Sequence, residues 1–185
     1  MRRRRLRAAA ILFVFAAVLA VTLFKVLPEI VKSRIYREEY TAEVERYSAL
    51  FKVDPALVYS VIKVESNFDP SAKSDAGAIG LMQIIEESFD WVAWRLGRED
   101  LRFEDMYTPE YSIMFGCYML GFLMDRYNSV ELAAAAYHSG MGTVDSWIES
   151  GRIDPNNVDI ESIEGSSTRH YVGKIMRAYK NYSNR

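Results

Sequence analysis

The segment VIKVESNFDPSAKSDAGAIGLMQI, residues 61–84, connects two predicted helices through a loop of small residues. Upstream of it, Asp54 and Pro55 form the N-cap and first helical position that are typical of a helix start. Downstream, helical spacing predicts a helix over 81–96 that ends at Gly97. The segment therefore predicts a helix, a loop and a second helix.

The remainder of the chain from residue 36 continues with helical spacing, and no alternating strand pattern of any length interrupts it. We predict a first amphipathic helix from Tyr36 to Phe51 and a central helix that begins at Thr108 and Pro109. Two glycines inside the central helix predict close packing against a neighbour. Further helices are predicted to start at the N-cap residues Ser129, Thr143 and Thr168, with an ordered surface loop over 152–167. The predicted fold class is all-α.

The composition is that of a globular protein, with 185 residues of which half are apolar and about a quarter are charged. A single cysteine, Cys117, excludes an intramolecular disulfide, and two histidines argue against a metal cluster, so we expect no metal and no cofactor. Five arginines lie within the first seven residues, whereas the residues after Leu27 include 17 basic and 25 acidic side chains. Because an acidic domain neutralises phosphates poorly, nucleic acid is not an expected partner.

Residues 8–27 form an apolar run directly after the arginine cluster. A helix of this length is about 30 Å long, which matches the hydrocarbon thickness of a bilayer. We therefore predict one transmembrane helix, with residues 1–7 in the cytoplasm, residues 28–35 as a linker and residues 36–185 as an extracytoplasmic domain. A cleaved signal peptide is the alternative, since Ala20 belongs to a small-residue pattern typical of a processing site.

Glu65 lies where an apolar stripe of its predicted helix would continue. Val58, Ile62 and Glu65 occupy positions i, i+4 and i+7, so the carboxyl is predicted to point at an apolar flank in the last helical turn. Burial and the negative end of the helix dipole both favour the protonated carboxyl and raise its pKa. Such a group can act as a general acid near neutral pH. A solvated glutamate at a helix edge is the alternative.

Polar residues at two other helix ends could approach this glutamate. Met82 and Gln83 follow a predicted tight turn, and Tyr137 and His138 end an alanine-rich helix whose small side chains let a ligand come close. Ser66 follows the glutamate directly. Each group alone is weak evidence, because tyrosine and serine at helix ends are more often caps or core-edge residues.

Together these stretches resemble the lytic transglycosylases of the soluble-lytic-transglycosylase (SLT) domain family. The resemblance rests on residues 61–84, on AAYHSGMGTVDSWI at 135–148, and on TRHYVGKI at 168–175. It extends from about Tyr36 to Tyr182 and implies a fold like that of goose lysozyme. A Glu-Ser pair followed at this spacing by Gly-Leu-Met-Gln is a specific pattern, which favours a functional role for the glutamate.

The resemblance implies that Glu65 is the sole catalytic carboxyl and that the substrate is peptidoglycan. In the implied reaction, Glu65 protonates the oxygen that links N-acetylmuramic acid to N-acetylglucosamine. As a carboxylate it then deprotonates the muramyl 6-hydroxyl, which closes a 1,6-anhydro ring without consuming water. Tyr171 is implied to hydrogen-bond or orient the glutamate. The implied substrate-binding residues are Ser66, Met82, Gln83, Tyr137, His138 and Tyr171.

Three positions depart from the family pattern, which usually has asparagine where His138 stands, glutamate where Ser167 stands and proline near Glu86. These departures concern the specificity of sugar binding rather than the reaction. Two other functions stay open. A muramidase that hydrolyses the same bond would need a second carboxylate about 5–9 Å away, and Asp69 and Asp75 are the nearest in sequence. A wall-binding or assembly protein would keep the pocket without cleaving the strand.

Overall fold

The computed structural model describes residues 2–184, with side chains described for 11–27, 30–31 and 34–184. Two units make up the chain, Met1–Arg37 and Glu38–Arg185.

The first unit contains helices over most of its length. Helix α1 spans Arg2–Val21, a π-helical segment spans Thr22–Val26, and α2 spans Leu27–Ile35. The apolar run predicted to cross a membrane, residues 8–27, is therefore divided among three elements. In the described part of the chain, no helix combines the length and the apolar character that a bilayer crossing requires. The predicted cytoplasmic tip, residues 1–7, lies outside the residues whose side chains are described.

The second unit contains seven α-helices within its described residues. They are α3 (Thr41–Phe51), α4 (Pro55–Glu65), α5 (Glu86–Leu96), α6 (Pro109–Tyr127), α7 (Val130–Ser139), α8 (Met141–Glu149) and α9 (Ser166–Tyr182). Short 3₁₀ turns lie at Phe103–Tyr107 and Ile160–Ser162. Between residues 2 and 184, β-pairing is limited to isolated bridges of Ile79 with Lys73 and with Ile84. The prediction of an all-α fold is confirmed.

Helix α6 lies at the centre of the second unit, because it packs against α3, α4, α5 and α7. Its glycines explain how the neighbours come so close. A Cβ atom added at Gly116 would lie 2.2 Å from Met82 Sδ, and one added at Gly121 would lie 2.4 Å from the Phe51 carbonyl oxygen. The predicted close packing is therefore confirmed. Cys117, between these glycines, is buried, and burial raises the pKa of its thiol to about 12.

Several predicted helix ends are confirmed by their hydrogen bonds. The Asp54 side chain accepts a bond of 2.8 Å from the Ala56 amide, and the Ser129 hydroxyl accepts one of 3.2 Å from the Leu132 amide. Gly97 is the C-cap of α5. These ends depend on local backbone chemistry, which is why sequence alone predicts them.

Two helices begin later than predicted. Helix α3 begins at Thr41 rather than Tyr36, because Tyr40 adopts the left-handed conformation with φ of 59°. Helix α5 begins at Glu86 rather than Leu81, because the backbones of Ile79 and Ile84 exchange two hydrogen bonds of 3.0 Å and close a tight turn between them.

Two predicted N-caps are wrong, since both threonines lie inside helices. Thr143 belongs to α8, and its hydroxyl donates a bond of 2.8 Å to the Ser139 carbonyl one turn earlier. Thr168 belongs to α9, which begins two residues earlier at Ser166. The loop over 152–167 contains buried side chains at Ile153 and Ile163, in agreement with an ordered loop.

Helix α9 packs against both α4 and α7. Its buried stripe includes Tyr171, Val172 and Ile175. This packing brings the end of α4, the end of α7 and the middle of α9 to one side of the unit.

Candidate active site

Glu65 is the last residue of α4, and its side chain is half-buried. The Tyr171 hydroxyl on α9 donates a hydrogen bond of 2.7 Å to Glu65 Oε1. Burial raises the pKa of Glu65 to about 7, and the bond from Tyr171 opposes this rise because it stabilises the carboxylate. Near neutral pH the carboxyl can therefore both give and take a proton.

Tyr137, on α7, contacts the turn that precedes α5. Its hydroxyl donates a bond of 2.7 Å to the Met82 carbonyl oxygen. Burial raises the pKa of Tyr137 well above its usual value, and the negative charge of Glu65 raises it further, so the phenol keeps its proton. The Met82 side chain is fully buried against α6, so this residue brings its carbonyl rather than its side chain to the site.

Two residues of the turn over 79–84 have left-handed backbones. Gly80 has φ of 79°, and a Cβ atom there would lie 1.9 Å from the Met106 carbonyl oxygen, so only glycine fits. Gln83 has φ of 49°, and its Nε2 donates to the carbonyls of Gly80 and Ala72 at 2.9 and 3.2 Å. The Gly-Leu-Met-Gln motif thus builds the turn whose Met82 carbonyl accepts the bond from Tyr137.

His138 lies beside Tyr171 at the end of α7. The centroids of the two rings are 4.6 Å apart, with their planes inclined by 33°. His138 Nδ1 lies 3.3 Å from the Thr168 hydroxyl oxygen. Burial lowers the pKa of His138, which favours a neutral ring at pH 7. Thr168 is therefore not the predicted N-cap, but its hydroxyl contacts His138, which is one of the predicted substrate-binding residues.

Ser66 and Asp69 form hydrogen bonds with residues close to them in sequence. Ser66 is the C-cap of α4, and its hydroxyl donates a bond of 3.2 Å to the Ile62 carbonyl. Asp69 is exposed and accepts bonds from the Ser71 amide and hydroxyl at 2.9 and 2.7 Å, which lower its pKa. Asp75 is exposed as well. Among the described residues, no cluster of histidine, cysteine, aspartate and glutamate is suited to a metal ion.

A cleft of about 550 Å³, a size typical of ligand sites, opens beside Tyr137 and His138, whereas Glu65, Ser66, Met82, Gln83 and Tyr171 do not line it. Tyr137 and His138 form part of its wall, so the cleft and the glutamate's surroundings share two residues. Most of the remaining wall comes from α5, α6 and the start of α8, including Trp91, Phe122 and Met141. This mixture of aromatic, apolar and polar groups suits a sugar chain, whose faces are apolar and whose edges are polar.

Sequence reasoning missed two residues that organise this region. Ser112 is fully buried in α6, and its hydroxyl oxygen accepts a bond of 3.1 Å from the Met82 amide. Thr168 lies three residues before Tyr171, on the same helix face, and contacts His138. A polar residue inside the most apolar helix and the i, i+3 spacing on α9 are the patterns that could have identified them.

The fold has a counterpart of known structure. The crystal structure of the 70-kDa soluble lytic transglycosylase from Escherichia coli matches with a TM-score of 0.76 at 26% sequence identity, over 83% of this chain and 25% of that one. The helical architecture is therefore the lysozyme-like fold of the soluble lytic transglycosylases, as the sequence resemblance implied.

The family model described as "Transglycosylase SLT domain" matches residues 44–159, which is more than half of the chain. The chain belongs to this family. The transglycosylase of Enterobacteria phage PRD1 is 30% identical over 130 residues, covering 70% of this chain and 39% of that protein. Membrane-bound lytic murein transglycosylase C of Glaesserella parasuis is 31% identical over 170 residues, covering 78% and 46%. The chain thus spans less than half the length of each relative.

Proposed function

We propose that the protein is a membrane-anchored lytic transglycosylase that cleaves peptidoglycan between N-acetylmuramic acid and N-acetylglucosamine. One observation carries this proposal: Glu65 is half-buried, has a pKa near 7 and accepts a hydrogen bond from Tyr171. The names of the family and of both sequence relatives support it, since all three are transglycosylases.

The proposed reaction uses Glu65 twice. Its proton passes to the glycosidic oxygen as the bond from that oxygen to C1 of the muramyl residue breaks. The resulting carboxylate then takes the proton of the 6-hydroxyl on the same sugar as O6 bonds to C1, so Glu65 ends protonated and no water is consumed. A pKa near 7 suits both steps, and attack within one sugar has a high effective concentration.

The other site residues have supporting roles in this proposal. Tyr171 orients the carboxyl, and Tyr137 holds the turn that carries Met82 and Gln83 beside the substrate. His138 and Ser66 contact the sugars. Since Thr168 lies against Nδ1 of the histidine, Nε2 is the nitrogen that is left for the substrate.

Membrane anchoring through residues 8–27 is part of the proposal. The apolar side chains of this run are exposed, with Phe13 at 76% and Phe24 at 83%, and exposed apolar surface of this extent requires a lipid or protein cover. The preceding arginines support a cytoplasmic N-terminus, which would leave residues 36–185 outside the cell. One relative is also named as membrane-bound.

Digestion of purified peptidoglycan by the full chain in detergent tests the reaction, with the glycan ends identified by mass spectrometry. We expect muramyl ends that are lighter by one water than hydrolytic ends. Reducing muramyl ends would identify a muramidase and direct attention to Asp69 and Asp75. Absence of products from a folded protein that binds glycan strands would instead identify a wall-binding or assembly protein.

Glu65→Gln replaces the ionisable carboxyl with an amide of nearly the same shape, and we expect it to abolish cleavage while glycan binding persists. The matched control is Glu149→Gln, an exposed residue of α8 that should leave cleavage unchanged. Turnover of Glu65→Gln within about tenfold of wild type would contradict the assignment, since loss of general acid–base catalysis costs about 10²–10⁴-fold.

The same variant also provides a check on folding. Between the ordinary pKa of 4.5 and the raised value of about 7, folded wild type holds a proton on Glu65 that the unfolded chain lacks. Wild-type stability therefore falls as pH rises through this window. Because glutamine has no such dependence, Glu65→Gln should be at least as stable as wild type in urea denaturation at pH 8. Lower stability there would mean that lost activity reflects damage to the fold.

A further inference from the structure

Helix α9 carries a positive face on a side of the helix that does not hold the proposed catalytic contact. Residues 166–185 include five basic side chains and no acidic one, whereas residues 38–165 include nine basic and 24 acidic side chains. Arg177 and Lys180 are exposed, and the helical repeat places them about 120° and 180° around the axis from Tyr171. The positive charge therefore lies on a different side of α9 from the tyrosine that contacts the glutamate.

This face continues into a cavity of about 390 Å³. Lys174 and Arg177 line the cavity from α9, and Glu161 lines it from the loop after α8. Arg169 Nη1 lies 4.0 Å from the Glu161 carboxylate. Lys174 and Arg177 form no ion pair with any residue that the structure describes. The cavity therefore keeps a net positive charge and can hold an anionic group.

The proposed anchor, residues 8–27, keeps a lipid surface close to the second unit. Residues 28–40 connect that run to Thr41, where α3 begins. A connection of this length spans at most about 45 Å. Such a tether gives the unit a high effective concentration at the bilayer, so that individually weak attractions can act there.

We propose that the positive face of α9 docks on the anionic phospholipids of the membrane in which the chain is anchored. The proposal rests on the membrane-anchoring part of the proposed function, which brings the lipid within reach. A headgroup phosphate accepts charge-assisted hydrogen bonds, and Arg177 can donate two of them in parallel. An anionic bilayer repels residues 38–165, whose acidic side chains outnumber the basic ones, so the attraction acts through α9.

Docking of this kind orients the proposed active site. Because Tyr171 contacts Glu65 from a different side of α9, a unit that rests on its positive face directs the glutamate away from the lipid and towards the wall. Each basic group near an anionic bilayer raises affinity by only about fivefold. The face alone therefore gives weak binding, which the tether strengthens.

Acylation of Lys174 in the full chain, reconstituted in vesicles, tests the proposal. The readout is the rate at which an uncharged reagent acylates Lys174, relative to the rate at Lys73, an exposed lysine in the loop after α4. We expect this ratio to be at least fivefold lower in vesicles of phosphatidylglycerol and phosphatidylethanolamine than in vesicles of phosphatidylcholine. High salt should abolish the difference, because it screens the attraction between exposed charges.

The double variant Arg177→Gln/Lys180→Gln keeps Lys174 as the reporter and removes two charges from the face. It should lose most of the protection, since two groups together contribute about 25-fold in affinity. Lys52→Gln/Arg102→Gln is the matched control, because it removes two charges from exposed residues outside α9 and should keep the wild-type protection. Equal ratios in both kinds of vesicle would overturn the proposal, as would protection that persists in the double variant.

Co-sedimentation with the same vesicles separates this proposal from the proposed function. If wild type sediments with both kinds of vesicle but Lys174 is not protected, the anchor stands and the docking is overturned. If wild type sediments only with phosphatidylglycerol vesicles, in a manner that the double variant abolishes, the anchor fails and the docking survives. Protection that appears only in membranes containing the cell's own proteins would identify a protein partner and overturn the proposal.

Discussion

The proton on Glu65 sets the pH range in which the proposed reaction can begin. The first step needs the protonated carboxyl, so its rate falls as pH rises through the raised pKa of about 7. Tyr171 moderates this value, because its hydrogen bond favours the carboxylate and lowers the pKa. The two side chains together determine where the alkaline limb of the activity profile lies.

Tyr171→Phe should move the alkaline limb of the profile of kcat/KM to higher pH, by up to about one unit. The physical reason is that loss of the hydrogen bond leaves burial unopposed, so the pKa of Glu65 rises further. The maximal rate should fall about tenfold, because the carboxyl also loses its orientation. Tyr179→Phe is the matched control, since this α9 hydroxyl donates a bond of 2.7 Å to Asp54 instead. A limb that stays in place or moves to lower pH would disprove this role for Tyr171.

Single residues differ in how far sequence alone identifies them. The stripe of Val58, Ile62 and Glu65 predicts a carboxyl that points at an apolar flank, because helical periodicity is local information. Tyr171 is 106 residues away from Glu65, and no local pattern indicates that contact, so only the family resemblance identified it. The sequence predicts a cap at Thr168, which lies inside α9 instead, because cap residues and buried threonines look alike in sequence.

At the level of helices, the close approach of α3 to α6 depends on a glycine in α6, which has no side chain beyond its hydrogen. The sequence predicts that Gly121 packs closely against a neighbour. It does not identify that neighbour, because the residue concerned lies about 70 residues upstream. The partner is the backbone carbonyl of Phe51, the last residue of α3. Backbone cannot move aside as a flexible side chain can, so this contact fixes the spacing of the two helices.

Gly121→Ala should destabilise the second unit by about 1–3 kcal/mol, because the added methyl group overlaps that carbonyl oxygen. Gly173→Ala, in α9, is the matched control, since its Cβ would meet nothing within 4 Å. The control should keep or raise stability, by up to about 1 kcal/mol from helix propensity. Urea denaturation measures both, and equal stability of Gly121→Ala and wild type would show that the helices separate without cost.

The turn before α5 explains why that helix begins five residues later than predicted. Residues 81–84 have helical apolar spacing, yet Gln83 and Gly80 adopt left-handed backbones that end any helix there. This conformation depends on bonds from Gln83 Nε2 to two backbone carbonyls and on the nearby Met106 carbonyl. Contacts between distant residues thus override a local propensity.

At the level of the whole molecule, the two units carry opposite charge. Residues 1–37 include nine basic side chains and one acidic side chain, whereas residues 38–185 include 14 basic and 24 acidic ones. The sequence predicts this division well, because the arginine cluster and the apolar run that follows it are visible in the order of the residues. The residues described for the proposed catalytic site all lie within the second unit.

A protein that begins at Glu38 should fold with a thermal midpoint within a few degrees of that of the second unit in the full chain. It should also cleave soluble glycan fragments and leave the membrane fraction, because the exposed apolar run is gone. Calorimetry and fractionation of cells expressing each form measure these outcomes, with the full chain as control. Loss of folding or retention in the membrane fraction would show that the first unit does more than anchor.

The packing of α9 against α4 also determines when the proposed general acid forms in a newly made chain. Glu65 leaves the ribosome 106 residues before Tyr171, an interval of roughly 5–20 s at ordinary rates of translation. Until α9 arrives and covers it, Glu65 is exposed to water, has its ordinary pKa and is ionised at neutral pH. Under the proposed function, the general acid is therefore assembled only when synthesis of the domain is nearly complete.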